Sequence, residues 1–198
     1  HRHYRRQRQM CIRDRFISSI ILVNVKMTNT SKNSYLELTK KWQRVAVLSD
    51  AIAMLSWDRQ AIMPSGSGAA RAEQIAILSV LKHEEITDPL TLELVDKADT
   101  AELDGIEKKN LFEIRRIYRH AAALSPKLVE EHSRACAACE GQWQLARKEN
   151  NFQVVAGSLG EVVKLTRQIA AIKAETFKSN SYDSLLDEYE PGGTSAQI

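Results

Sequence analysis

Turn-forming residues, cysteines and aromatic side chains are all scarce in this chain. The 198 residues include 8 glycines and 4 prolines, too few to supply the turns of a many-stranded sandwich or barrel. Three cysteines do not make a disulfide framework, and they favour a reducing, cytoplasmic setting. No apolar run reaches the roughly 20 residues that a membrane-spanning helix needs. Ala, Leu, Glu, Lys, Arg and Gln dominate instead, which favours an all-α protein.

A surplus of positive charge is confined to the amino terminus. Residues 1–26 contain seven of the 28 basic residues and one of the 25 acidic ones, which leaves 21 bases and 24 acids, a net charge of −3, for residues 27–198. This larger part has no positive field to attract nucleic acid. Since residues 1–26 show no periodic apolar face, we interpret them as a non-native or disordered basic leader. Residues 27–198 are then the helical amino-terminal portion of a single larger domain, with Met27 as its natural start.

Apolar residues recur at helical spacing from residue 35 onward. One face of the first predicted helix carries Tyr35, Leu38, Trp42 and Val45. Residues 45–57 are apolar around most of the helix, as expected of a segment that enters the interior. Asp88-Pro89 and Ser125-Pro126 each combine an N-cap with a proline at the first helical position. No stretch alternates with period two, so we predict a multi-helix array of six or seven helices without strands.

The carboxyl end of the chain has the pattern of a helix start. Residues 190–193 form a predicted turn, and Thr194 with Gln197 matches a capping box. Because the chain reaches Ile198 one residue later, we interpret it as the amino-terminal fragment of a longer protein.

One His-Glu pair is similar to the beginning of a zinc-peptidase signature. His83 and Glu84 open the pattern His-Glu-x-x-His, but Thr87 occupies the position of the second histidine, and Asp88-Pro89 ends the helix. Zinc needs the two histidines one helical turn apart. We therefore interpret Lys82 and His83 as part of a polar helix terminus that faces the negative end of the dipole.

A second candidate metal set lies on one face of a later helix. His132, Cys136 and Cys139 occupy positions i, i+4 and i+7, and the outer two are about 10.5 Å apart along the axis. One metal with bonds of about 2.0 to 2.3 Å does not reach both. The same face continues with Leu128, Trp143 and Ala146. Core packing with the thiols as small hydrophobes is the favoured interpretation, and a metal or redox role is the alternative.

Asp58 and a group of four acids near the carboxyl end are weak candidates for a catalytic or a metal site. Asp58 follows Trp57 near a helix exit, but it has no second acid nearby, so we predict a hydrogen bond to backbone or to Arg71. A short helix would spread four further acids over several faces, which makes them a poor metal cluster: Asp183, Asp187, Glu188 and Glu190. We assign no catalytic, cofactor-binding or metal-binding residue in this chain.

Three segments, in order and spacing, resemble the amino-terminal part of the carboxypeptidase Taq family of metallocarboxypeptidases. They are Leu55-Ser56-Trp57-Asp58 with Met63-Pro64, then Arg71-Ala72-Glu73-Gln74, and finally residues 182–192, Tyr-Asp-Ser-Leu-Leu-Asp-Glu-Tyr-Glu-Pro-Gly. The last segment is the most specific, and the resemblance covers nearly all of residues 35–198. Arg59 and Ala61 depart from the family pattern, which would have Gln and Thr after Trp-Asp.

The resemblance implies a mostly helical, cytoplasmic hydrolase of about 500 residues that acts on peptides. A His-Glu-x-x-His helix and a later Glu would bind one divalent metal, usually zinc, for attack of water on the last peptide bond, and a downstream Arg would hold the substrate carboxylate. None of those residues has a counterpart here, so this fragment is expected to be inactive and to bind no zinc. Trp57, Asp58 and Met63 are expected nearest to the site, and a homodimer is compatible with the family.

Two other interpretations stay open on sequence grounds. One is a self-contained helical interaction module with no chemistry, which the chain taken alone would support equally well. The other is a related helical metallopeptidase of the oligopeptidase kind. A His-Glu-x-x-His motif about 60 to 80 residues after Pro191 would favour the carboxypeptidase.

Overall fold

Helices account for the secondary structure of residues 30–99 and 101–198, the part of the chain described by the computed structural model. The α-helices are α1 (Thr30–Ala61), α2 (Gly68–Thr87), α3 (Pro89–Ala98), α4 (Gly105–Ala122), α5 (Pro126–Glu149), α6 (Gln153–Phe177) and α7 (Ser181–Leu186). Two 3₁₀ helices cover Ser65–Ser67 and Ser195–Gln197. No strand occurs within these ranges, so the predicted all-α class is confirmed. The predicted leader, residues 1–26, lies outside the described residues.

Local capping fixes where the helices begin. Asp88 accepts a hydrogen bond from the Leu90 N–H at 2.9 Å, and Ser125 accepts one from Leu128 at 3.3 Å, which confirms both predicted N-caps. Asp104 begins α4 through a capping box that the sequence analysis did not identify. Its carboxylate accepts the Glu107 N–H at 2.8 Å, and Glu107 accepts the Asp104 N–H at 3.0 Å. The Asp-x-x-Glu spacing was the available signal.

The main hydrophobic core lies where α1 to α4 meet. Its buried residues include the four predicted on the first face of α1 and others from the next three helices: Tyr35, Leu38, Trp42, Val45, Ile86, Leu94, Val95, Leu111 and Ile114. The predicted apolar face of α1 is thus confirmed. Each such side chain that leaves water stabilises the fold by about 1.5 to 3 kcal/mol.

A second, smaller core joins α5 and α6. Leu128, Leu165 and Ile169 are buried in it. These two helices form an antiparallel hairpin, and α2 packs against both α1 and α5. As a result α2 connects the two cores. Among the described helices, none has the length and hydropathy to cross a membrane.

Within the described residues, the second half of α1 is covered on one side only. Val45 is buried, but Val47, Met54 and Trp57 are 67%, 63% and 55% exposed. These three residues, which we call the apolar stripe, lie on the face opposite the core, because within the described chain α1 packs mainly against α2 and α3 on one side. Within the described residues this face has no cover, and the prediction that residues 45–57 enter the interior of a larger protein stays a prediction for this face.

Replacing Val47, Met54 and Trp57 together with glutamine is expected to reduce the fluorescence of a bound hydrophobic dye about twofold, because a contiguous apolar patch provides its binding surface. Far-UV circular dichroism should stay unchanged, since the three side chains contribute little to either core. Lys40→Gln, on the polar first half of α1, is the matched control and should leave the dye signal unaltered. Equal dye fluorescence in the triple variant and the parent chain would contradict this assignment.

Candidate functional site

The corner between α1 and α2 contains the acid that sequence reasoning singled out. Asp58 forms an ion pair with Arg71 of α2, which confirms the predicted partner. Arg71 also donates to Gln74 Oε1 at 2.7 Å. Asp58 is therefore held as a structural anion, and its ion pair fixes the turn between the two helices.

One departure from the family pattern, Arg59, lies close to this corner. Arg59 forms an ion pair with Glu140 of α5, and Gln60 donates to the same carboxylate at 2.5 Å. Met63, Arg59 and Glu140 line an open cavity of about 270 Å³ between α1, α2 and α5. Of the three residues expected nearest to the site, Met63 lines this cavity, Asp58 is paired beside it, and Trp57 is exposed on the apolar stripe.

His83 does not occupy a polar helix end, as its sequence context suggested. The helix continues to Thr87, and His83 is buried within it. Burial lowers the pKa of His83, although a hydrogen bond with the Leu124 backbone opposes this effect. A neutral imidazole does not interact with the helix dipole as a cation, so that interpretation is wrong for His83. His83 instead connects α2 to the end of α4.

His132, Cys136 and Cys139 are half-buried on α5, and His132 Nε2 lies 3.3 Å from Thr166 Oγ1 of α6. Cys136 Sγ lies 3.7 Å from His132 Nε2, and burial raises the pKa of this thiol and lowers that of His132. Both groups are therefore uncharged near neutral pH. Trp143 was expected to continue the buried face, but it is exposed and lies 5.3 Å from the Arg147 guanidinium. Within residues 30–99 and 101–198, no three His, Cys, Asp or Glu side chains are arranged to hold a metal.

The most specific segment of the sequence, residues 182–192, is held by polar contacts from distant helices. Asp187 Oδ2 lies 2.7 Å from His120 Nε2, and Arg116 donates to the Asp187 backbone oxygen at 2.7 Å. The Gly192 N–H donates to Asp187 Oδ1 at 2.8 Å. Burial works to raise the pKa of Asp187, but Gly192 and His120 outweigh it and hold this pKa below its usual value. Asp187 is therefore an ionised acceptor at the centre of the turn.

The neighbouring acid, Glu188, forms an ion pair with Lys173 of α6. Lys173 is only 2% exposed. Glu188 Oε1 also lies 3.6 Å from His120 Nδ1. Together with the contacts of Asp187, these groups make a buried polar network that joins α4, α6 and the segment after α7. Its members are Arg116, His120, Lys173, Asp187 and Glu188.

The four acids of this region do not converge on one point. Asp183 accepts the Ser195 N–H at 2.7 Å, whereas Asp187 and Glu188 have the partners described above. Glu190 is exposed. The capping box of Thr194 and Gln197 is confirmed, although the helix that it starts is a short 3₁₀ turn over Ser195–Gln197. The sequence did not predict this network. Arg116 and His120 lie 71 and 67 positions before Asp187, and Lys173 lies on a different helix from its partner Glu188.

Comparison with known proteins decides the family. A family model for the carboxypeptidase Taq (M32) metallopeptidases matches residues 37–198. This chain belongs to the M32 family. The resemblance inferred from residues 55–58, 71–74 and 182–192 is thereby confirmed. Thermostable carboxypeptidase 1 of Thermus thermophilus is 29% identical over 174 residues, a match that covers 82% of this chain and 34% of that protein.

Solved structures agree with this assignment. The apo-Mg structure of Pyrococcus furiosus carboxypeptidase matches with a TM-score of 0.67 and 26% identity, over 86% of this chain and 33% of that one. The BsuCP crystal structure gives a TM-score of 0.76 at 23% identity, over 83% and 33%, and supports the fold alone. The M32 chain thus spans about a third of the length of the relatives that it matches.

Proposed function

We propose that this chain is the amino-terminal third of a metallocarboxypeptidase that releases C-terminal amino acids from peptides. The observation that carries the proposal is the extent of the match. The M32 family model covers residues 37–198, yet the Thermus thermophilus relative is matched over only 34% of its length. The catalytic residues would then lie in a part of the protein that corresponds to the other two thirds of that relative.

A divalent metal, which we propose to be zinc, would supply the activation of water in the whole protein. The described residues of this chain do not fit such a metal, since no three potential ligands converge among them. The closest sequence pattern, His83-Glu84, has its histidine buried and hydrogen-bonded to the Leu124 backbone. We therefore place the ligands, the general base and the carboxylate-binding arginine outside this chain, which by itself would be inactive.

The proposed contribution of this chain is a rigid wall beside the substrate cleft. The ion pairs Asp58–Arg71 and Arg59–Glu140 hold α1, α2 and α5 together at one corner. Trp57 and Met63 at that corner would face the remainder of the protein and the peptide. The free thiols Cys136 and Cys139 are compatible with the proposed cytoplasmic location, and a homodimer is compatible with the proposal.

The proposal is tested with a chimera in which residues 27–198 replace the matching third of the Thermus thermophilus carboxypeptidase. We expect the chimera to release the C-terminal amino acid from an amino-blocked peptide, and a chelator to abolish that release. Two controls, residues 27–198 alone and the relative without its matching third, should release no amino acid above background. Liberated amino acid is measured by reaction with ninhydrin.

A chimera with native helicity but no chelator-sensitive release would contradict the proposal. The coding sequence after Pro191 provides an independent check that does not depend on how well the chimera folds. The proposal requires a His-Glu-x-x-His motif about 60 to 80 residues further on. A continuing reading frame without that motif would favour the non-catalytic helical module instead.

A further inference from the structure

The outward side of α4 carries a concentration of positive charge. Residues 108–122 include five basic residues and one acidic residue, whereas residues 27–198 as a whole have a net charge of −3. Four of these cations and one aromatic residue form what we call the basic face of α4: Lys108, Lys109, Phe112, Arg115 and Arg119. At about 100° per residue, the four cations lie within about 60° of Phe112 around the helix axis.

Phe112 lies at the centre of the basic face and is 62% exposed. Residues three and four positions away are its neighbours on the helix surface. All four of these positions are cationic, since Lys108 and Lys109 precede Phe112, and Arg115 and Arg116 follow it. A large apolar side chain is therefore exposed to solvent with positive charges on both sides of it along the helix.

Acidic residues compensate only part of this charge. Glu113 pairs with Arg116 at 2.9 Å, and Asp99 pairs with Arg115 at 3.2 Å. Within residues 30–99 and 101–198, the other three cations of the basic face form no ion pair. They are Lys108, Lys109 and Arg119, whose guanidinium lies 5.3 Å from the centroid of the Phe177 ring.

The stability of α4 itself accounts for only one of these three cations. Arg119 lies in the last turn, where the helix dipole favours positive charge. Lys108 and Lys109 lie near the start of the helix, where the dipole favours acids instead. The acids at that end, Asp104 and Glu107, form the capping box. The two lysines thus contribute charge that the helix does not use.

The dimensions of the basic face fit a short acidic partner. From Lys108 to Arg119 it extends about 17 Å along the axis, the length of about five extended residues. A nucleic acid would continue beyond the face onto a surface with an excess of acids. One exposed aromatic side chain is little apolar surface for insertion into a lipid bilayer. An acidic peptide meets cations on both sides of Phe112, and its own apolar side chain covers the ring.

We propose that the basic face of α4 binds an acidic peptide segment of about five residues, with an apolar side chain packed on Phe112. Carboxylates before this side chain pair with one end of the face, and those after it pair with the other end. Because these ion pairs are exposed, binding is weak and decreases as the salt concentration rises. The inference does not depend on the proposed peptidase function.

Fluorescence anisotropy of the peptide Glu-Glu-Phe-Glu-Glu, with fluorescein at its amino end, tests the proposal on the whole 198-residue chain. Amidation of the carboxyl end removes the group that a carboxypeptidase releases, so binding is measured apart from hydrolysis. Lys108→Gln with Lys109→Gln should raise the Kd about fivefold, since each exposed ion pair contributes a factor of about two to three. Phe112→Ser should raise the Kd about threefold and remove the preference for this peptide over Glu-Glu-Ala-Glu-Glu.

A matched control separates this face from general charge attraction. Lys40→Gln with Lys148→Gln removes two exposed lysines from α1 and α5 and should leave the Kd unchanged. The basic residues of segment 1–26 are present in every variant and contribute equally to each measurement. In NMR spectra of the parent chain, the peptide should shift the amide signals of residues 108–119 more than those of α6.

Three results would overturn the proposal. The first is an equal loss of affinity in the matched control. The second is a Phe112→Ser variant that distinguishes the two peptides as the parent chain does. The third is tighter binding of a short oligo(dT) or of phosphatidylserine vesicles that is lost in the same variants, which would assign the face to a nucleic acid or to a membrane. If a variant does not fold, NMR shifts of the parent chain confined to residues outside 108–119 would contradict the proposal.

Discussion

Replacing Trp42 with alanine should lower the free energy of unfolding by about 3 to 5 kcal/mol, the usual cost of removing a large aromatic side chain from a packed core. Trp42 is 3% exposed and belongs to the cluster formed by α1 to α4. Its removal leaves a cavity between α1 and its neighbours that rigid helices do not close. Urea unfolding followed by far-UV circular dichroism measures the effect as a shift of the midpoint.

Trp57→Ala is the matched control, because it makes the same chemical change in the same helix. Trp57 is 55% exposed, so we expect this substitution to change the free energy of unfolding of the chain by about 0.5 kcal/mol or less. Equal destabilisation by the two substitutions would show that α1 buries both faces and would contradict the exposed apolar stripe.

Glu188→Gln is expected to destabilise the fold by about 3 kcal/mol, because it removes the carboxylate that compensates the buried Lys173 ammonium. Since 31% of the Glu188 side chain is exposed, we take the low end of the stability loss that is usual when one partner of a buried ion pair is removed. The midpoint of urea unfolding at pH 7.5, where His120 is neutral, gives the measurement.

The double variant Lys173→Met with Glu188→Gln should recover most of this loss, since an apolar side chain needs no counter-charge in the same place. Glu161→Gln, which breaks the exposed Glu161–Lys164 pair on the same helix as Lys173, should change stability by less than about 0.5 kcal/mol. A double variant no more stable than Glu188→Gln alone would mean that the cost does not come from the buried charge.

Features that depend on near neighbours in sequence were predictable. The buried face of α1 follows from apolar residues three and four positions apart, as Leu38 and Trp42 are. The caps at Asp88 and Ser125 follow from bonds within three residues. The pairing of Asp58 with Arg71 was also accessible, because a short turn between two helices brings the end of one near the start of the next.

Features that depend on distant residues were not predictable in the same way. Arg116 and Asp187 are 71 positions apart, and nothing in the pattern around either residue indicates the other. His83 appeared to lie in a polar stretch because its sequence neighbours are charged, although helix rotation turns it towards Leu124. The exposure of Val47, Met54 and Trp57 has a different origin. Hydrophobicity predicts that a side chain requires cover, but it does not identify the part of a protein that supplies the cover.

The position of α2 has a consequence for how the chain reaches its native state. In both units, helices that follow one another in the chain contact each other, α1 with α2 and α5 with α6. Such short-range contacts form early, since little loop entropy is lost before they are rewarded. Contact between α2 and α5 requires two preformed units to meet. We therefore expect docking of the two units through α2 to follow the formation of their own helix–helix contacts.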